Sequence, residues 1–439
     1  VTGVSTDSRT VTRGQLYVAL RGAHFDGHEF VAAAAARGAA AALVARATAC
    51  ALPQYLVPDT LAGYQALSRF HRERFALPVA GITGTNGKTT VKEMTARILA
   101  QRAPVLASAR NFNNHIGVPL TLLQLTPAQQ YAVIEMGMNH AGELRTLTQV
   151  AQPTVAAITN VGRGHLEFFA DPAAVVAAKL EILEGVRAPG VAILPYDSPW
   201  YNRMYTAARA HAARIVSVGT RPGADVRVEV ERLALDATQC WISSGAERVA
   251  VQLRVPGAHN AGNAAFACAI ARALEPQLSL PAMAEALRDF APVALRCQCE
   301  VVEGVTIIAD CYNANPESMQ AALALLRDAA VPGRRIAVLG DMCELGAASA
   351  DAHREVGEAS AHQRLNLLIT IGVGGRMIAA AAQAAGMNNG SVQVCATAAE
   401  AAAAARAYAR PGDCILIKGS RALQLETVFA ALRTTGPHA

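Results

Sequence analysis

Residues 78–101 read PVAGITGTNGKTTVKEMTARILAQ. A short apolar run leads into a glycine-rich turn, and the turn opens an amphipathic helix. This strand–turn–helix order aims backbone N–H groups at an anion, and the helix dipole adds to the attraction. Lys88 can reach the β- and γ-phosphates of a nucleotide, and the Thr89 hydroxyl can ligate Mg2+. The general pattern G-x-x-x-x-G-K-[ST] would need glycine where Ile82 stands. Here the loop is G-x-x-G-K-T, with Gly81 in addition. Gly84, Thr85, Asn86, Gly87, Lys88, Thr89 and Thr90 are therefore the candidate ATP loop.

Outward from the loop, YAVIEMG (131–137) and TVAAITNVG (154–162) are continuous apolar runs. Such runs fit parallel strands buried on both faces, with helices between them. Ligands gather at the carboxyl ends of parallel strands. Glu135 ends one run and His165 follows the other, so both are candidates for holding Mg2+ around a triphosphate. Lys179 lies in DPAAVVAAKLEILEG, where Asp171-Pro172 is a good helix start. On its own, Lys179 reads as a lysine paired with an acid on the same helix, such as Glu184. Short β-like runs (IVSVG, VRVEVERLAL, RVAVQLRV) fill 215–255, and AGNAAFACAIARAL (261–274) reads as a helix.

The flanks are also α/β. Residues 1 to about 76 hold LYVAL, then a helix running into a strand over 30–44, then a helix from Thr60 to Arg74. After Pro292, VTIIAD, RRIAVLGD, LNLLITIG, VQVC and CILIKGS alternate with helices in a doubly wound pattern. The expected fold is α/β in three domains. A small α/β domain spans 1–77, a central P-loop mononucleotide-binding α/β domain 78–294, and a C-terminal Rossmann-like α/β domain 295–439.

The composition agrees. A chain of 439 residues suggests about three domains. Hydrophobic residues make up 52%, much of it alanine, which argues against disorder and for helices packed on sheets. No run of about 18 uncharged apolar residues exists, and VTGVSTDSRT is not a signal peptide. A formal charge of +5, without charged blocks, gives no support to nucleic-acid binding. Nine cysteines with no C-x-x-C pair read as reduced thiols of a cytoplasmic protein.

These residues together resemble the Mur ligase family, ATP-dependent ligases of peptidoglycan precursor synthesis. The resemblance covers essentially the whole chain, and TGTNGKTT matches the family's ATP loop. It also rests on STDSRTVTRGQLYVALRG with DGHEF, RNFNNHIGVPLTLL, AVIEMGMNHAGEL, DCYNANPESM, LGDMCELG and IKGSRALQLE. DCYNANPESM and GDMCELG point within the family to addition of D-alanyl-D-alanine to UDP-N-acetylmuramoyl-tripeptide. They disfavour the third-residue ligase and folylpolyglutamate synthase. A nucleotide-gated binding protein would need the loop, but not His165 and Lys179 together.

The resemblance implies roles at matching positions. Lys88 would bind phosphates, and Thr89 and Glu135 would hold one Mg2+. His165 would hold a second, and Lys179 matches a lysine that many members carbamylate, making it a metal ligand. Lys88, Lys179 and His165 would be the catalytic set. Asn114, His259, Asn260, Asn263, Arg296 and Asp310 would meet ATP, with Tyr312, Asn313 and Asn315 shaping the adjoining pocket. Ser5, Asp7, Ser8 and Arg9 would bind the UDP-sugar, and Lys418 and Ser420 the peptide. Two departures stand out. The family usually starts further upstream, and ALRCQC (294–299) replaces a Gly-Arg spelling. A monomer whose third domain closes on the loop is expected.

Overall fold

A computed structural model describes residues 1–109 and 111–433. Arg110 of the quoted RNFNNH stretch and the last six positions of the expected third domain lie outside the described residues.

Each apolar run becomes a strand, and the strands form three sheets. The first is parallel, in the order β1 (Val4–Ser5), β2 (Leu16–Val18), β3 (Ala41–Val44), β4 (Gln54–Leu56). Its helix Thr60–Glu73 is capped by Asp59, whose carboxylate accepts from the N–H groups of Leu61 and Ala62.

The middle sheet contains β5 (Val79–Thr83), β6 (Val105–Ala107), β7 (Tyr131–Glu135), β8 (Val155–Ile158), β9 (Val191–Pro195), β10 (Arg214–Gly219), β11 (Val226–Leu233), β12 (Thr238–Ser244) and β13 (Glu247–Leu253). Its spatial order is β13-β12-β11-β10-β9-β8-β5-β7-β6, parallel except for the β11–β12–β13 meander. Both faces are covered. Tyr131 and Val133 pack with Val91, Ile98 and Phe266 on one side. Ala132 and Ile134 pack with Leu144, Leu147 and Val175 on the other. This period-two division is why the run read as continuously apolar.

The third sheet runs β14 (Gln298–Val302), β15 (Val305–Ala309), β19 (Cys414–Lys418), β16 (Arg335–Leu339), β17 (Leu367–Ile371), β18 (Val392–Cys395). All pairs are parallel except β14–β15, a hairpin turning at Glu303 and Gly304. Both turn residues have positive φ, 51° and 78°, as a two-residue turn of this hand requires.

The first unit is fastened to the second through its long helix. The buried Arg72 guanidinium donates to the carbonyls of Ala151 (3.0 Å), Phe75 (2.5 Å), Leu77 (3.3 Å) and Gln152 (3.4 Å). Two of these belong to the carboxyl end of helix Glu143–Ala151, where a cation is favoured. Tyr64 and Ser68 reach the carbonyls of Ile116 and Pro119.

Candidate active site

Strand β5 lies between β7 and β8. The chain leaves it toward β6 on one side and later crosses to β8 on the other, so the carboxyl ends of β7, β5 and β8 border a switch-point crevice. The loop fills the centre. Gly84 (φ 150°) and Gly87 (φ 82°) are positions where a side chain is strained. A Cβ on Gly84 would lie 2.0 Å from Thr159 Oγ1, and one on Gly87 would lie 2.5 Å from Asn263 Oδ1. Residues after β8 stitch the loop down. Thr85 N donates to Asn160 O (3.1 Å), Asn86 N to Asn160 Oδ1 (2.8 Å), and Gly162 N to Thr85 Oγ1 (2.9 Å). Lys88 opens the helix Lys88–Leu99, and its Nζ donates to Gly84 O (2.7 Å) and Thr85 O (3.3 Å). Burial pushes its pKa down, Glu135 opposes this, and Arg296 adds to it. Thr89 and Thr90 are buried beneath the loop.

Glu135 ends β7 and is 2% exposed. Its Oε1 accepts from Asn113 Nδ2 (2.8 Å), while Oε2 is buried with no hydrogen-bond partner. An orphaned carboxylate oxygen is costly unless a cation or donor meets it. Lys179, near the end of helix Pro172–Leu180, is 1% exposed. The expected pairing with Glu184 does not form. Glu184 instead binds Arg145 (2.5 Å) from the neighbouring helix, and no side chain among the described residues meets the Lys179 amine. Burial first, and then the charge of Lys88, push its pKa well below the lysine range. The amine is therefore held toward its neutral form. His165 follows β8 at φ 64°, with Nδ1 2.7 Å from Glu344 Oε2 of the third unit. The oxygen lies off the ring's N–H direction, at ion-pair rather than hydrogen-bond geometry.

These donors fit Mg2+. Thr89 offers a hydroxyl and Glu135 an unpartnered oxygen, both beside the loop. Among the described residues no three His, Cys, Asp or Glu side chains converge. Mg2+ commonly takes only one or two carboxylates and fills its shell with phosphate oxygens and water.

Between the second and third units lies a cavity of ≈ 340 Å³. Asn86, Gly87, Thr90, His259, Asn260, Asn263, Arg296, Asp310, Tyr312, Asn313, Asn315 and Lys418 all line it. The amides of Asn86 and Asn315 bond reciprocally across the boundary (3.2 and 2.7 Å). The Arg296 guanidinium lies 4.2 Å over the Tyr312 ring. Its neighbours Leu295 and Cys297 both have positive φ, 61° and 49°, in the segment expected to carry Gly-Arg. Lys418 Nζ is bound to Asp310 (2.7 Å), so the amine expected at the peptide lies within this cavity.

Three groups fall elsewhere. Asn114 is exposed, and its Oδ1 accepts from Ile116 and Gly117 N–H at a helix start; its neighbour Asn113 makes the reach toward the site. Ser420 is buried, and its hydroxyl accepts from Cys343 N (2.8 Å). Ser5 ends β1, and Asp7, Ser8 and Arg9 follow it in the first unit. There the Arg9 guanidinium (2.7 Å) draws the Asp7 carboxyl down to about 2.

Sequence profiles of three domains match the chain. They are the "Mur ligase family, catalytic domain" (1–98), "Mur ligase middle domain" (82–271) and "Mur ligase, glutamate ligase domain" (296–421). The Escherichia coli UDP-N-acetylmuramoyl-tripeptide–D-alanyl-D-alanine ligase is 36% identical over 435 residues, 99% of this chain and 94% of the relative. The chain belongs to the Mur ligase family. Among solved structures, MurF from Acinetobacter baumannii superposes with a TM-score of 0.90 at 34% identity, covering 98% of this chain and 93% of that one. MurF ligase from Thermotoga maritima in complex with ADP gives 0.87 at 26% identity, covering 98% and 97%.

For this Mur ligase family chain, the sequence reading passed over three residues that meet the site. Asn113 holds Glu135. Arg163 joins the second unit to Glu317 (3.0 Å) and Glu355 (2.8 Å) of the third. Glu344 meets His165. The only sequence signal for Glu344 was its place in GDMCELG.

Proposed function

We propose that this chain is an ATP-dependent carboxylate–amine ligase that joins D-alanyl-D-alanine to UDP-N-acetylmuramoyl-tripeptide in peptidoglycan precursor synthesis. The observation that carries the mechanism is the group formed by Lys88, the unpartnered Glu135 oxygen and the buried, unpartnered Lys179 at the switch point. The assignment of acceptor and donor rests on the likeness to the Escherichia coli ligase.

A carboxylate is a poor electrophile. Its oxygen attacks the γ-phosphorus of ATP, ADP leaves, and an acyl phosphate results. The free amine of the dipeptide attacks the acyl carbon, and the tetrahedral adduct collapses to amide and inorganic phosphate with release of a proton. Lys88 and the N–H groups of Gly84–Thr90 hold the phosphates and the charge that moves among them. A neutral Lys179 amine adds to CO2 and loses a proton, leaving a carbamate anion in place of the amine. Thr89, Glu135, His165 and the carbamate would hold two Mg2+. When bound, these ions offset repulsion between the γ-phosphate and the incoming carboxylate. His259, Asn260, Asn263, Arg296, Asp310, Tyr312, Asn313 and Asn315 would receive the nucleoside end. Ser5, Asp7, Ser8 and Arg9 would take the UDP-sugar, and Lys418 and Ser420 the dipeptide side. The corresponding divisions are 1–77 for the sugar, 78–294 for ATP and 295–439 for the dipeptide. No helix among the described residues is long and apolar enough to cross a membrane. A cytoplasmic monomer fits a soluble nucleotide-sugar substrate.

Phosphate release from ATP with UDP-N-acetylmuramoyl-tripeptide, with and without D-alanyl-D-alanine, tests the reading. Release that depends on both substrates is expected. Release with glutamate, lysine or diaminopimelate in place of the dipeptide would overturn it.

A further inference from the structure

Glu344 comes from the third unit, yet it meets the turn that carries His165 twice. Its carboxylate lies 2.7 Å from His165 Nδ1, and its carbonyl accepts from Glu167 N (3.1 Å). Both residues of the pair stand at left-handed φ, 64° for His165 and 60° for Glu344. Non-glycine residues persist there only where the surroundings enforce it.

The Glu344 loop is enforced in this way. Met342 N donates to His353 Nε2 (2.9 Å), Cys343 N to Ser420 Oγ (2.8 Å), and Gly375 N to Asp341 Oδ1 (2.8 Å). At Gly346 a Cβ would lie 2.9 Å from Glu167 Cα, so the backbones are already as close as they can come. The Glu344 side chain is 38% exposed, so it is not there to fill a core.

We infer that Glu344 is a positioning residue that acts through His165: it holds the imidazole with the proton on Nδ1 and leaves the Nε2 lone pair for a divalent cation at the phosphate loop. The inference rests on the reading of His165 as a cation ligand. The oxygen lies off the N–H direction, but a bare lone pair on Nδ1 and a carboxylate oxygen would repel each other at 2.7 Å, so this distance requires the proton on Nδ1 and makes the other nitrogen the better donor. Because the carboxylate belongs to the third unit, His165 is set only when the second and third units are together. Closure and completion of the cation site then become one event.

Full-length chain labelled with 15N-histidine provides the test, with His165 assigned by His165→Gln. In metal-free protein above the histidine titration range, wild type is expected to show the Nδ1-protonated tautomer. Glu344→Ala is expected to show a mixture. With a non-hydrolysable ATP analogue present, Mn2+ affinity of Glu344→Ala should fall about 10- to 100-fold. Glu344→Gln keeps an acceptor oxygen, so it should retain the tautomer and recover part of the affinity. Glu355→Gln removes a contact across the same boundary and should move neither readout. Wild-type tautomer and Mn2+ affinity in Glu344→Ala would overturn the role of Glu344. Failure of Mn2+ to broaden His165 signals in wild type would instead overturn the ligand reading beneath it, and this inference with it.

Discussion

Lys179 is a cationic residue placed where a cation is hard to keep. Its pKa is depressed from 10.5, so between the folded and unfolded values the unfolded chain binds more protons. Stability therefore rises with pH through that window. Lys179→Met in CO2-free buffer should melt higher than wild type at pH 7, and the gap should narrow as pH approaches 10. A gap constant across pH in thermal scans would contradict a depressed lysine. The same variant should lose ligation. Lys88→Ala removes the cation that follows the transferring phosphoryl group, and phosphate release should fall about 10³-fold, the scale of losing one pre-aimed donor. Both lysines were legible in the sequence, Lys88 from local pattern and Lys179 only through resemblance, because nothing local distinguishes a buried lysine from one paired on its helix. Glu344 was not legible, since its meaning depends on two units meeting. Asn113 and Asn114 show a finer limit. The pattern marks the asparagine pair, but which one caps a helix and which reaches Glu135 is decided by backbone geometry.

At the scale of elements, the helix Pro172–Leu180 presents Lys179, and its start is set by Asp171, whose side chain accepts from Ala174 N (2.8 Å). Asp171→Ala should cost about 1 kcal/mol in denaturant unfolding. Ligation should fall as well, because the frayed turn begins the helix that carries Lys179. An unchanged unfolding midpoint would mean that Pro172 alone sets the start. This helix, the loop strand and every parallel strand named in the sequence appear where the apolar runs put them. Six strands went unread in the sequence, the parallel β1, β4, β6 and β9 and the antiparallel β12 and β14. Cys240 and Ile242 of β12 are buried while their neighbours are half-exposed, a weak alternation beside the unbroken runs of the parallel strands. The turn before β15 is Glu-Gly, without the asparagine or aspartate that usually announces such a hairpin.

For the whole molecule, the second and third units meet through two further kinds of contact besides those of Glu344. Arg163 bridges Glu317 and Glu355 with partly exposed charges, and Asn86 and Asn315 pair without any. Exposed ion pairs are screened by salt, whereas an amide pair is not. Arg163→Ala should broaden the nucleotide-free scattering profile and raise KM for ATP a few-fold while sparing kcat. An unaltered profile would mean that the amide pair and the Glu344 contacts hold the units without it. The first unit is joined differently, through one arginine set into the end of another unit's helix. Arg72 supplies the donors that the carbonyls of Ala151 and Gln152 need. A chain shortened to begin after Arg72 would leave those oxygens without their donors. A chimera that borrowed its first unit from a relative would inherit the same debt unless donor and helix end travelled together. The unit is separable when read along the chain, but as an engineering part it comes with a fitting that only its neighbour can accept.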